Sequence, residues 1–279
     1  MPHSQRPGLT ARIDPELPAG VIPGRPQTSP PAQGRKQYRD QQEYTLFYSV
    51  TMETDGNKLA LLNTWKVKYQ DSDFNWERLQ LFLTTYQQLG VPAKMIDTAR
   101  AMLAINPKDI PALYWNTFLT PVLGNASPDA LDTAESAANS LLVAEKPANV
   151  KDQAWARAKS QTDATAYTIL GWIAIQRKNN EVAEENFKKS LTTNPDSGQV
   201  SYWLGTVILA EKKPEKRSEA MFHFARAAAY DGPGALTPEG RQKIDEYLAK
   251  VYDTLHGNSA GLAELKALAK AHAMPPASR

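Results

Sequence analysis

Apolar residues recur at spacings of three and four along most of this chain, and alternation of the strand type is absent. That period puts apolar side chains on one stripe of a helix. The stretch 164–197, ATAYTILGWIAIQRKNNEVAEENFKKSLTTNPDS, shows the pattern twice. Tyr167, Leu170, Gly171 and Ala174 share one face. After the polar turn Lys178-Asn179-Asn180, a second face carries Val182, Ala183, Phe187, Ser190 and Leu191. The spacing predicts a helix–turn–helix hairpin of 34 residues. Two residues are out of keeping with ordinary helices. Gly171 lies inside an apolar run, where glycine costs a helix roughly 1 kcal/mol against alanine. Asn194-Pro195 then halts the second helix, since proline cannot continue it.

The same pattern returns along the chain, and a period of this length is the mark of a repeat architecture. Leu204-Gly205 falls on Leu170-Gly171, and Phe224 and Ala227 fall on Phe187 and Ser190 if three extra residues sit in the turn KPEKRS. Upstream, WERLQLFLTTYQQLGVPAKMIDTARAMLAINPKD keeps Phe82, Tyr86, Met95, Ala99, Met102 and Asn106-Pro107 in register, with Leu83 in the glycine's place. Hairpins are predicted near 41–74, 76–109, 110–145, 164–197 and 198–232, with a capping hairpin at 237–272. In that cap Thr237 is a helix N-cap and Pro238 the first helical residue. Residues 146–163 form an insertion, expected to lengthen the helix of the repeat at 164 or to add a short one.

These residues resemble the tetratricopeptide repeat, which pairs Leu-Gly in its first helix with Ala, an aromatic and a final Pro in and after its second. Tyr167, Leu170-Gly171, Ala183, Phe187 and Pro195 match that pattern; Ala174 and Ser190 depart from it. The likeness is strong over 164–230, good over 76–109 and degenerate over 41–75 and 110–145. More narrowly, the chain looks like a group of bacterial, often exported, repeat proteins with a Pro/Ala-rich N-terminal segment. The resemblance implies an all-α fold, a right-handed α-solenoid of about five to six hairpins. It implies that Gly171 and Gly205 admit the close approach of the paired helix, with Ala183, Phe187 and Phe224 on the other side and Pro107 and Pro195 setting the angle to the next repeat. It also implies a concave groove lined by Leu81, Tyr114, Trp115, Phe118, Ile169, Trp172, Tyr202 and Trp203. Such an aromatic wall suits an extended or Pro-rich peptide; the ordinary alternative is that the tryptophans pack between repeats. A clamp for a terminal carboxylate needs Asn and Lys at these positions, which hold aromatics, aliphatics and Thr instead.

The composition of the N-terminus changes the picture. Residues 1–36 hold eight of the twenty prolines and no aromatic, which predicts an extended tail partly in polyproline II. The domain is expected over 37–273, with a short tail at 274–279. The N-terminal tail supplies a second functional reading: it docks on a neighbouring copy and builds a ring or filament.

Charge and candidate chemistry narrow the classes further. Thirty-two basic and thirty acidic residues leave a net charge of +2, which argues against a nucleic-acid partner. The basic run at 212–217 is interrupted by Pro and Glu and reads as a solvated turn. There is no cysteine, so disulfides and thiolate sites are excluded. No apolar run reaches the length of a membrane span. Without an apolar stretch after its first charges, the start does not read as a signal peptide, so a cytoplasmic location is expected unless a leader has been removed, in which case the periplasm or exterior. The four histidines, His3, His223, His256 and His272, make no helical pair for a metal. His223, between two phenylalanines, reads as a structural core residue. No nucleophile, phosphate-loop or zinc-hydrolase string occurs. The expectation is a non-enzymatic scaffold without metal or cofactor, whose partners are other proteins or peptides, or further copies of itself.

Overall fold

The computed structural model describes residues 36–53 and 56–276. The predicted tails 1–36 and 274–279 fall largely outside them. The described residues are all-α: twelve α-helices, one 3₁₀ turn and no strand. They divide between Trp155 and Ala156 into two compact units.

The first unit contains α1 (Gln41–Met52), α2 (Lys58–Lys68), α3 (Asn75–Gln88), α4 (Pro92–Ile105), α5 (Ile110–Val122) and α6 (Pro128–Leu142). Each of these helices packs on the next in the chain, the arrangement of an α-solenoid. Its first core gathers Val50 from α1, Leu62 and Trp65 from α2, Tyr69 and Phe82. Starts are set by side-chain oxygens: Asp40 accepts from the Glu43 N–H, Asp109 from Ala112 and Ser127 from Ala130. Prolines occupy the first turn of α4, α5 and α6, where a missing N–H costs nothing.

The second unit contains most of α7 (Asp152–Gln176), followed by α8 (Asn180–Thr193), α9 (Gly198–Ala210), a 3₁₀ turn (Pro214–Lys216), α10 (Arg217–Ala229), α11 (Pro238–His256) and α12 (Leu262–Ala271). Of the residues counted as an insertion at 146–163, those from Asp152 onward lengthen α7 to 25 residues, and 146–151 are a non-helical connection. The three extra residues after α9 correspond to the 3₁₀ turn. Both α11 and α12 pack on α10. Thr237 Oγ1 accepts from the Gly240 N–H, so that cap is as the local sequence dictates.

One joint is used twice. Asn106 and Asn194 end α4 and α8 in extended conformation, as the residue before a proline must. Their side-chain oxygens accept from Lys108 N and Asp196 N, each at 3.1 Å. The third residue after each Asn, Asp109 or Ser197, then caps the next helix. Pro107 and Pro195 thus sit at the centre of the same four-residue corner. The second corner has an added constraint at Gly234, where φ is +70° and a Cβ would lie 2.1 Å from the Asp196 carbonyl oxygen. The glycine-rich 231–234 segment is a turn pressed on this corner, and its Gly234 carbonyl accepts from the Gly198 N–H at 2.9 Å.

Candidate interaction surface

The residue contacts within the hairpins come first, because they decide which side chains remain available. A Cβ at Gly171 would meet the Phe187 ring at 2.5 Å. A Cβ at Gly205 would meet the Ala220 carbonyl oxygen at 3.1 Å and the Phe224 ring at 3.3 Å. Thr168 and Ser190 hydroxyls are 2.8 Å apart across the same α7–α8 seam. Ala183 and Phe187 are wholly buried, and Phe224 nearly so.

The eight residues assigned to an aromatic wall do not form one exposed surface. Tyr114, Trp115, Ile169, Trp172 and Trp203 are each at most 7% exposed. Trp203 lies 5.7 Å from the Phe187 ring, and Trp115 packs edge-on to Tyr114. Large flat rings at these positions fill the space between helices, where burial stabilises most. Leu81 is half-buried and packs on the Val50–Trp65 core. Phe118 and Tyr202 remain partly open, on α5 and α9 respectively.

Tyr202 belongs to a different aromatic surface from the one read in the sequence. It meets Phe224 edge-on at 6.0 Å, and Phe224 meets Tyr247 at 5.4 Å. Tyr247 on α11 is 42% exposed, so two tyrosines flank a buried phenylalanine floor. Burial raises the Tyr247 hydroxyl pKa, and nearby Tyr202 adds to the shift. The Tyr247 hydroxyl therefore stays protonated and able to donate. Tyr247 escaped the sequence reading because α11 lacks the repeat pattern.

Two buried arginines hold helix ends, Arg78 in the first unit and Arg226 in the second. Arg78 Nη1 donates to the Trp65 and Tyr69 carbonyls, and Nη2 to Asn75 Oδ1. Its guanidinium lies over the Trp65 ring, whose Nε1–H donates to the buried carboxylate of Glu43 at 3.0 Å. Arg226 Nη1 donates to Ala269 and His272 carbonyls at 3.0 and 2.9 Å, and Nη2 to the Pro195 carbonyl at 2.8 Å. Its guanidinium stacks 4.5 Å over Tyr230, whose hydroxyl donates to Asp196. Burial and that hydrogen bond push the Tyr230 hydroxyl up to about 12. An arginine satisfies the otherwise unpaired terminal carbonyls of a helix with one rigid fork.

Chemistry is sparse around the clefts. One of about 250 Å³ between α2, α3 and α4 is lined by Lys66, Arg78, Tyr86, Lys94 and Asp97. Another of about 340 Å³ is lined by Arg217, Met221, Tyr252, His256 and Leu265. Among the described residues, no group of three or more His, Asp or Glu is placed to hold a metal ion. His223 is fully buried against Phe222, and burial, then Lys188 and Arg226, pushes its imidazole down to about 3. No described helix is long and apolar enough to cross a membrane.

No family model matches the chain. No curated protein matches it. The crystal structure of MamA is similar to it. That chain shares 16% sequence identity and is covered over 99% of its length by 71% of this one, at a TM-score of 0.44.

Proposed function

We propose that this protein is a non-enzymatic protein-interaction scaffold built of tetratricopeptide-like hairpins, which takes an extended or Pro-rich segment of a partner protein on an aromatic surface. The observation that carries this reading is the Tyr202–Phe224–Tyr247 surface. It offers two partly exposed rings over an apolar floor, with phenolic donors at its edge. A polyproline-II segment presents unpaired carbonyls and flat pyrrolidine rings, and such grooves are lined by aromatics for that reason. The repeated glycine-to-ring contacts, Gly171 on Phe187 and Gly205 on Phe224, support the assignment of the repeat type.

The test is titration of full-length protein with Pro-rich peptides, comparing wild type with a Tyr202→Ser, Tyr247→Ser double variant. Both side chains are partly exposed, so helicity is expected to stay unchanged while affinity falls at least about tenfold. Affinity unmoved by the double substitution would rule this surface out. The second reading, a subunit that assembles into rings or filaments through its N-terminal tail, predicts growth in mass with concentration. Light scattering over a concentration series separates the two.

A further inference from the structure

The outward face of α1 carries a row of large exposed side chains. Tyr44, Tyr48 and Met52 follow at a spacing of four and are 45%, 54% and 62% exposed. That spacing stacks them along one face. The only charged residue in the twelve of α1 is Glu43, and it is wholly buried beneath the helix. So α1 shows solvent tyrosines, a methionine, glutamines and hydroxyls, and no charge at all. A surface helix with an uncharged aromatic face is a helix meant to be covered.

The chain itself indicates what covers it. Thirty-five residues precede Lys36, and they contain two Pro-x-x-Pro strings, Pro15-Glu-Leu-Pro18 and Pro23-Gly-Arg-Pro26. Prolines three apart fall on one edge of a polyproline-II helix, which has three residues per turn. This segment enters the described residues at the foot of the α1 face. Lys36 lies over the Phe74 ring, and Tyr38 stacks on Phe74 at 4.2 Å and meets Tyr44 edge-on at 5.2 Å. The aromatic surface thus begins at the first described residues and continues along α1. Reach is ample: the ten residues from Pro26 to Lys36 span up to about 33 Å, against about 18 Å for the whole of α1.

We propose that residues 23–26 dock in polyproline-II form, about 9–12 Å long, on the Tyr44–Tyr48–Met52 face of the same chain. The tyrosine hydroxyls donate to the segment's carbonyls, and the rings receive its prolines. This face lies in the first unit and its occupant is internal, so the proposal is independent of the partner surface at Tyr202 and Tyr247.

The absence of cysteine makes a direct test simple. The full chain carrying Val21→Cys and Thr45→Cys is labelled with nitroxides at both sites, and their separation is measured by pulsed electron resonance. The expected result is a short, narrow distance that survives dilution with excess unlabelled protein. It is lost when Tyr44→Ser and Tyr48→Ser are added, and lost again when Pro23 and Pro26 are changed to Ala. A broad distribution in the parent, or a narrow one indifferent to the tyrosine substitutions, overturns the proposal. A narrow distance that vanishes on dilution also overturns it, and assigns the face to the tail of a second copy.

Discussion

The contact between Gly171 and Phe187 shows how much one missing side chain controls. Alanine would improve the intrinsic helicity of α7 by roughly 1 kcal/mol. It would also place a methyl 2.5 Å from the wholly buried Phe187 ring, which would have to shift against its neighbours. Overpacking of this kind costs about 1–3 kcal/mol, so the clash wins. Gly171→Ala should lower the urea midpoint, and Gly205→Ala should lower it less, because there the approach is 3.1 Å rather than 2.5 Å. Adding Phe187→Leu to Gly171→Ala should recover part of the loss, a coupling that a double-mutant cycle would reveal. A midpoint raised by both alanines would contradict the packing argument.

His223 makes a second prediction at the same scale. Its imidazole is neutral in the fold down to about pH 3, while the unfolded chain takes up a proton near the ordinary value of about 6.5. Between these two values the unfolded state binds more protons, so stability rises with pH. It is fully present above about 6.5 and drains away as pH falls towards 3, by up to about 1.4 kcal/mol per unit. His223→Leu should flatten that slope in denaturant melts run between about pH 7 and about pH 4.5. An unchanged slope would place the acid sensitivity in other groups.

Among the elements, α12 depends on a residue of another helix. Its terminal carbonyls are answered by Arg226 of α10, which also holds the corner after α8 through Pro195. Arg226→Met keeps the apolar stem and leaves those carbonyls without their donor, at a cost of about 2–4 kcal/mol. Amide exchange across 262–272 should accelerate most. Arg226→Lys should fail to restore protection, because one ammonium cannot serve carbonyls on two elements as the planar fork does. Full protection in the lysine variant would show that charge alone suffices.

At the scale of the whole molecule, the helices were legible and their surfaces were not. Thr237-Pro238, Asn106-Pro107 and Asn194-Pro195 act through local bonds, so their effect is readable without tertiary context. The 146–163 stretch had two open readings, and its part from Asp152 onward joined α7 because nothing there breaks the helix before the repeat. Position within a repeat, by contrast, tells which way Trp115 or Trp203 points and not whether another helix covers it. Covering depends on how the hairpins stack. The same limit hid Arg78 and Arg226, whose charge suggests solvent while the carbonyls that receive them lie 13 and 43 residues away. The exposed row Tyr44, Tyr48 and Met52 escaped the sequence reading for the same reason, and it became apparent only once Val50 and Phe47 were seen to claim the core side of α1.

The Arg226 clamp also has a consequence in time. Its partner in the corner, the Pro195 carbonyl, is synthesised before it, whereas the carbonyl of His272 is made 46 residues later. At ordinary elongation rates of about 5–20 residues per second, that is a delay of roughly 2–9 s. During that interval the guanidinium has one anchor and lacks the other, and the flank of α10 that α12 will cover is bare. The growing polypeptide is then most open to capture by a chaperone on that flank, and the arrival of α12 ends the exposure.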